Sequence, residues 1–173
     1  TGGTILQNQV FFQKDDFLVA HADNMFNFTL EELFKSHENR DQKSIATMLT
    51  FYTDEPYNCG VVSVDENSII QKFDEKNPLL SERSLANAAI YIFSNKIYDY
   101  FESDPGDFTD LSLDIIPKMI GSINCCIHAG EIIDIGTMAA WNNANLHTDS
   151  KISEFLEPNQ KAWNTVLKNI SST

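Results

Sequence analysis

Two apolar segments that each end in an aspartate constrain the fold of this chain more than any other feature. The first is Phe17–Asp23 (FLVAHAD). The second lies in Glu131–Thr137 (EIIDIGT), where two isoleucines lead to Asp134. Each pattern predicts a buried strand that carries a carboxylate at its end, and the second strand leads through a tight glycine turn into a helix. Because open α/β sheets bind ligands in the crevice at the carboxyl ends of their strands, Asp23 and Asp134 are expected to face one crevice.

The paired aspartates predict a magnesium site. Carboxylate oxygens are the hard ligands that Mg²⁺ prefers, and bound Mg²⁺ commonly shares its coordination with substrate phosphates. Taken singly, each aspartate is also explained as a turn or N-cap residue. The sequence contains no P-loop, GxGxxG or nucleophile-elbow motif. The pair therefore indicates metal-assisted group transfer rather than covalent catalysis.

The charge balance limits the partners of the chain. Its 173 residues include 25 acids and 12 bases, which give a net charge of −13. This charge argues against nucleic acid and against anionic membrane surfaces as partners. No apolar run has the length of a membrane-spanning helix and no signal peptide is visible, so we expect a cytoplasmic protein.

The three cysteines do not predict a disulfide framework, since their number is odd and no CxxC spacing occurs. Cys125, Cys126 and His128 lie close enough in sequence to suggest a metal site, but no fourth ligand is suitably spaced. The alternative, small apolar residues of a strand, explains both cysteines more simply.

Alternating elements predict an α/β fold with a mixed, mainly parallel sheet and flanking helices. A polar turn between two apolar runs predicts a hairpin, which breaks the strict alternation of strands and helices. The expected further strands and hairpin arms are Ile45–Phe51, Gly60–Val64, Ile69–Phe73, Leu85–Phe93 and Ile123–Ile127.

Helices are expected between these strands, at Ile5–Val10, around Leu30–His37, after Ser94, over Leu111–Ile120 and from Thr137 to about Leu146. Ser94 is the predicted cap of its helix, and His37 is interpreted as a boundary residue rather than a ligand. Two apolar stripes after His147 predict further helices. We therefore divide the chain into a domain over 1–147 and a helical extension over 148–173.

Several other residues suit a polar ligand. Lys76 could bind a phosphate as a mobile point charge, and its neighbour Glu75 could accept hydrogen bonds from hydroxyl groups. Asn87 lies inside an apolar strand, so its amide needs a partner in a ligand or in the backbone. Gly2 and Gly3 would allow close backbone approach to a flat ligand. An exposed pair at Glu75–Lys76 and an ordinary loop at the glycines are the alternatives.

Taken in order, these segments resemble the sugar-1-phosphate nucleotidyltransferases, over residues 1 to about 146. Six motifs of that family have counterparts, and their order and approximate spacing are those of the family. The counterparts are Thr1–Ile5 for the segment near the nucleobase, Phe17–Asp23 for "FLVLNGD", Gly60–Val62 for "YGVV", Phe73–Lys76 for "FxEKP", Asn87–Phe93 for "NAGIYVF" and Ile133–Thr137 for "WIDIGTP".

The resemblance implies a nucleotide-diphospho-sugar transferase (Rossmann-like) fold and a role for each matched residue. Asp23 and Asp134 would hold Mg²⁺, with Asp23 also contacting the nucleotide. The other implied contacts are to the sugar 1-phosphate, through Gly60, Glu75, Lys76 and Asn87, and to the base, through Gly2 and Gly3. The substrates would be a nucleoside triphosphate and a sugar 1-phosphate, as in nucleotide-sugar and polysaccharide biosynthesis.

The sequence departs from the family pattern at several points. Asn77 separates Lys76 from Pro78, Ala89 stands where the family has Gly, and Met138 replaces a frequent Pro. The Gly-rich signature of the family would lie before Thr1, so the domain is expected to be N-terminally incomplete. We therefore expect no turnover by this chain alone, and an open sheet edge could pair with a second copy in a homo-oligomer.

Within the family that it resembles, we expect a guanylyltransferase that acts on mannose or heptose 1-phosphate. A uridylyl- or thymidylyltransferase of the same family and a noncatalytic fragment of such an enzyme are the alternatives. A glycosyltransferase of the related nucleotide-sugar fold would carry an Asp-x-Asp metal motif, which Asp23-Asn24-Met25 lacks.

Overall fold

The computed structural model describes residues 1–12, 14–26, 29–101, 109–129 and 132–148. These residues divide into two compact units. The larger unit is drawn from Thr1–Ala22 and Phe28–Glu131, and the smaller unit from Asp23–Asn27 and Ile132–Thr173. Glu131 and the expected helices after Thr148 lie outside the described residues, and the division at residue 147 stays a prediction.

The predicted strands and the hairpin are confirmed, with ends that shift by at most a few residues. The strands that begin at Phe17 and Ile132 were expected to be buried, but they are only partly so, because each has a single neighbouring strand. The described strands are β1 (Phe17–Ala20), β2 (Asn24–Phe26), β3 (Ala46–Thr53), β4 (Gly60–Val64), β5 (Ile70–Glu75), β6 (Ser84–Phe93), β7 (Ile123–Ile127) and β8 (Ile132–Asp134). The helices are α1 (Gly2–Gln7), α2 (Gln9–Phe12), α3 (Glu31–Glu38) and α4 (Met138–Thr148). Shorter helical turns are Pro56–Asn58, Asn95–Tyr100, Leu111–Ile115 and Ile116–Met119.

The larger unit is built on a mixed sheet, as predicted. Its strand order is β5-β4-β6-β3-β7, and β1 also pairs with β6. Strands β1, β3, β4 and β7 run in one direction, and β5 and β6 run against them. Strand β6 separates β3 from β1 and β4. Only β3 and β7 are parallel neighbours among the described strands, so the expected predominance of parallel pairs is wrong for this part of the sheet.

The core lies around β3 and β6, the two central strands of the larger sheet. The first five residues of β3, Ala46–Thr50, are all buried, as expected of a strand covered on both faces. Helix α3 packs against β3 and β7. Within the described residues, no helix is long and apolar enough to cross a membrane.

The helical segment Leu111–Met119 contacts this core through Leu111, Ile115, Ile116 and Met119, which are buried. The sequence predicts one helix over Leu111–Ile120, which Pro117 bends or ends. The structure has a π-helical turn over Leu111–Ile115 and a 3-10 turn over Ile116–Met119. Pro117 stands at the start of the 3-10 turn, where its missing N–H leaves no backbone hydrogen bond unmade.

The smaller unit contains a two-stranded sheet. Strand β2 pairs antiparallel with β8, and α4 packs on β8. Thr137 caps α4 as predicted, since its Oγ1 accepts a hydrogen bond of 3.1 Å from the N–H of Ala140.

His37 is buried rather than at a boundary, which corrects the prediction from its helical stripe. Its ring is 5% exposed and bonds Thr47 Oγ1 at 2.8 Å and Asp16 Oδ2 at 2.9 Å. Arg40 donates to the same Asp16 oxygen at 3.0 Å. Burial lowers the pKa of His37, and the hydrogen bond to the Asp16 carboxylate opposes that shift.

The lowered pKa of His37 predicts instability in acid. The folded protein prefers the neutral ring, so its stability contribution is complete above pH 6.5 and is lost as the pH falls through the folded pKa. Each pKa unit by which the folded state lowers the His37 value corresponds to about 1.4 kcal/mol in the free energy of unfolding. We expect the free energy of unfolding in urea to fall less between pH 7.5 and pH 5 in His37→Gln than in the wild type or the control His128→Gln. Equal losses in all three proteins would refute this account.

Ser94 precedes its helical turn as predicted, but its side chain makes no capping hydrogen bond. The hydroxyl is buried and has no partner among the described residues. We therefore expect Ser94→Ala to raise the free energy of unfolding by roughly 1 kcal/mol, since an unsatisfied buried hydroxyl is costly. The control is Thr50→Val, which removes a buried hydroxyl bonded to the Cys126 carbonyl at 3.1 Å and should destabilise. A loss of stability in Ser94→Ala would show that the hydroxyl is satisfied.

Candidate functional site

Strand β6 is interrupted in the middle of the larger sheet. On one side it pairs first with β4, at Ala86, and then with β1, from Ile90 onward. On its other side the register with β3 shifts, so that Met48–Thr50 faces the longer stretch Asn87–Tyr91. Such bulges bend a strand and are common beside active sites. The segment Asn87–Ala89 therefore lies where the sheet opens.

The Asn87 amide supports the backbone of this opening. Its Oδ1 accepts a hydrogen bond of 2.9 Å from the N–H of Ala89, and its Nδ2 donates to the Tyr91 hydroxyl at 2.6 Å. Ala89 has a φ of +53°, which is uncommon for a residue other than glycine. The partner that the sequence required for Asn87 is thus the backbone and a tyrosine, while its predicted contact with a sugar stays a prediction.

Gly60 and Glu75 form a close pair across β4 and β5. They are direct partners in the antiparallel ladder. A Cβ atom on Gly60 would lie 2.6 Å from Glu75 Oε2 and 2.6 Å from Phe73 Cζ. Position 60 must therefore be glycine for the Glu75 side chain to keep its place.

Glu75 is a half-buried carboxylate with capacity to accept further hydrogen bonds. Burial raises its pKa; Lys76 and His21 oppose that rise, and Asp110 adds to it. No hydrogen bond or salt bridge to another described residue satisfies its oxygens. A desolvated carboxylate without a partner is typical of a binding or catalytic position.

Lys76 follows directly and is exposed. Its φ is +46°, and its backbone N–H donates to the Cys59 carbonyl at 3.0 Å. Within the described residues its ammonium makes no salt bridge, so it is available to an anion.

Glu75 and Lys76 line a cleft of about 430 Å³. One wall is Phe73–Pro78, and the other is formed by Ser112, Leu113 and Pro117. The second wall was missed by sequence reasoning. The residue that could have indicated this wall is Asp110, a typical N-cap residue before an apolar run. Its Oδ1 accepts hydrogen bonds from the N–H groups of Ser112 at 2.8 Å and Leu113 at 3.0 Å.

Gly2 and Gly3 pack beside the start of that wall. A Cβ atom on Gly2 would lie 2.9 Å from the Thr109 carbonyl oxygen, and the N–H of Gly3 donates to that oxygen at 3.0 Å. Thr1 Oγ1 also donates to Asp110 at 3.3 Å. This packing explains why Gly2 is small, and a contact of either glycine with a nucleobase stays a prediction.

The smaller unit brings Asp23 and Asp134 together. An antiparallel pairing does this, with Asn24 opposite Asp134, rather than the parallel strand ends expected from the sequence. The N–H of Ile135 donates to the Asp23 carbonyl at 2.7 Å. A Cβ atom on Gly136 would lie 3.0 Å from Asp23 Oδ2 and 3.0 Å from Asp134 Oδ1. Both carboxylates therefore converge on the space above Gly136.

This arrangement fits a hard cation. Both aspartates are exposed, and neither has a salt-bridge partner in the described part of the chain. Asp134 Oδ1 is oriented by the N–H of Gly136 at 2.7 Å. Among the residues with described positions no group of three or more His, Cys, Asp or Glu side chains suits a metal. Two carboxylates suit Mg²⁺, which usually takes one or two from the protein and the rest from substrate and water.

A family model for nucleotidyl transferases matches residues 1–151. The chain therefore belongs to the nucleotidyl transferase family, as its motifs predicted. A curated relative is the glucose-1-phosphate adenylyltransferase of Clostridium beijerinckii, 26% identical over 94% of this chain and 44% of the relative. The enzyme of the same name from Francisella tularensis is 27% identical over 84% of this chain and 40% of the relative. The chain thus spans less than half the length of these relatives.

Solved structures show the same fold. HddC from Yersinia pseudotuberculosis, complexed with GMP-PN, aligns with a TM-score of 0.67 at 22% identity, over 83% of this chain and 60% of that one. The nucleotide-diphospho-sugar transferase fold expected from the motifs is confirmed by this likeness.

Proposed function

We propose that the whole protein is a sugar-1-phosphate nucleotidyltransferase. An oxygen of the sugar phosphate attacks the α-phosphorus of a nucleoside triphosphate, the bond from that phosphorus to the β-phosphate oxygen breaks, and pyrophosphate leaves. The observation that carries the proposal is the convergence of Asp23 and Asp134 on Gly136 in a chain of this family.

The cleft residues are assigned to the sugar 1-phosphate. Lys76 would neutralise the phosphate, because its exposed ammonium makes no salt bridge among the described residues. Glu75 would accept hydrogen bonds from sugar hydroxyls, and Gly60 leaves room for that carboxylate. A hydrogen bond to a charged acceptor is worth about 1.5–3 kcal/mol, which suffices to orient one face of a sugar.

Asp23 and Asp134 are assigned to Mg²⁺. When bound, the ion would neutralise charge on the phosphates during transfer. The protein's own contribution is to hold both carboxylates toward one place, with Asp134 oriented by the Gly136 N–H. Phosphoryl and nucleotidyl transfer depend mainly on such positioning and charge neutralisation.

The test is a panel of ATP, GTP, UTP and dTTP against glucose, mannose and heptose 1-phosphates, run with the whole protein. We expect one pair to give equal amounts of pyrophosphate and nucleotide-sugar with Mg²⁺, and neither product with EDTA. Mannose or heptose 1-phosphate with GTP is the pair that we expect, while the curated relatives are named glucose-1-phosphate adenylyltransferases. The absence of pyrophosphate above the EDTA control for every pair would overturn the proposal.

A further inference from the structure

Ala89 has a backbone conformation that its side chain disfavours. Three residues other than glycine have a positive φ in the described ranges, namely Ser68, Lys76 and Ala89. Ser68 lies in the β4–β5 turn, where such a conformation is common. Ala89 lies within strand β6 and has no polar side chain to stabilise a left-handed conformation locally. Surrounding groups must therefore hold it there.

The Asn87 side chain is placed to do this. The carboxamide bonds the N–H of Ala89 at one end and the Tyr91 hydroxyl at the other. Tyr91 is 1% exposed and stacks on Phe93 with ring centroids 5.2 Å apart, so the hydroxyl is a fixed anchor. Burial raises the pKa of that hydroxyl, and Asn87 and Ser112, which lines the cleft, oppose the rise.

The conformation of Ala89 shapes the opening in the sheet. Its carbonyl accepts from the N–H of His21 at 3.1 Å, directly after strand β1. The irregularity of strand β6 at this point separates its pairing with β4 from its pairing with β1. The family motif that this segment resembles has glycine here, which adopts a positive φ without steric cost.

We propose that Asn87 and Tyr91 are positioning residues, which hold Ala89 in its left-handed conformation and so shape the sugar-phosphate site. The proposal rests on the proposed function for the identity of the ligand. It also changes the role of Asn87, which acts on the sugar through the backbone rather than by reading its hydroxyls. An amide retains one N–H and one lone pair after these two bonds, so the experiment must separate the two roles.

A double-mutant cycle separates them. Asn87→Ala is made in the wild type and in the Ala89→Gly background, and the dissociation constant of the sugar 1-phosphate is measured by calorimetry. We expect a weakening of about tenfold in the first and less than about threefold in the second, because glycine needs no support at a positive φ. Equal weakening in both backgrounds would assign Asn87 to direct sugar contact and overturn the proposal.

Tyr91→Phe is the conservative companion variant, since it removes only the hydroxyl that anchors Asn87. It should weaken binding of the sugar 1-phosphate in the wild-type background and much less in the Ala89→Gly background. An unchanged affinity in Tyr91→Phe would contradict the proposal. Asn67→Ala, in the exposed β4–β5 turn, is the matched control and should leave affinity unchanged in both.

The melting temperature of the same variants gives a readout that does not depend on any substrate. Asn87→Ala should lower it more in the wild type than in the Ala89→Gly background, and equal shifts would overturn the support of Ala89 by Asn87. If the shifts are coupled but the wild type binds no sugar 1-phosphate, the proposed function fails while the support of Ala89 stands. If the ligand binds but neither cycle shows coupling, the positioning role fails alone.

Discussion

Asp134→Asn should lower Mg²⁺-dependent pyrophosphate release by the whole protein at least about 100-fold, the scale on which loss of one electrostatic group in an active site lowers kcat. The substitution keeps the size of the side chain and its bond from the Gly136 N–H, but removes one of the two charges that converge above that glycine. The rate is measured at saturating substrates over a range of Mg²⁺ concentrations. Asp23→Asn should behave in the same way.

Two further variants make this prediction specific. Asp54→Asn is the matched control. Asp54 is exposed and its ion pair with Arg83 is long, at 3.9 Å, so loss of this charge should leave the rate unchanged. Gly136→Ala removes no charge, yet its Cβ would come within 3.0 Å of both carboxylates and should weaken the apparent affinity for Mg²⁺. Near-normal release by Asp134→Asn would refute the metal assignment.

Glu75→Gln should weaken binding of the sugar 1-phosphate while it stabilises the fold. The affinity is expected to fall about 10- to 100-fold, since a charged acceptor is replaced by a neutral one. Burial raises the pKa of Glu75, so the ionised carboxyl destabilises the folded state at neutral pH. Calorimetry with the sugar 1-phosphate and thermal unfolding of the same samples measure the two effects.

The pH dependence gives the sign of the stability effect. The folded-state pKa of Glu75 lies above its ordinary value, so the penalty is complete above the folded pKa and disappears as the pH falls toward the unfolded one. The melting temperature of Glu75→Gln should exceed that of the wild type at pH 7.5, and the two should converge in acid. Asp74→Asn is the control and should not stabilise, because it breaks a 2.6 Å pair with Lys72. A lower melting temperature for Glu75→Gln at pH 7.5 would contradict the account.

Local patterns were sufficient to predict all of the described strands except β2, together with the hairpin and several polar positions. The β4–β5 hairpin follows from two apolar runs around a polar turn, and the structure places its arms at Gly60–Val64 and Ile70–Glu75. The Thr137 cap follows from a hydroxyl residue before a helix. Such features depend on neighbours in sequence, so the sequence suffices to find them.

Features that depend on pairing between distant segments could not be predicted. Nothing local to Leu85–Phe93 shows that β6 runs against β3, because strand direction is set by the connections of the whole sheet. The proximity of Asp23 to Asp134 could not be predicted either, because it depends on the register in which β2 pairs with β8. His37 was misplaced because its burial depends on Asp16 and Thr47, which come from other elements.

The most direct test of the central claim follows the oxygen atoms of the sugar phosphate. The whole protein is incubated with Mg²⁺, the active triphosphate and a sugar 1-phosphate labelled with oxygen-18 on phosphorus, and the products are analysed by mass spectrometry. Attack of the sugar phosphate on the α-phosphorus predicts that all of the label remains in the nucleotide-sugar and that the pyrophosphate carries none. Label in pyrophosphate or in free phosphate, or the absence of a nucleotide-sugar, would contradict the assignment of this chain to sugar-1-phosphate nucleotidyl transfer.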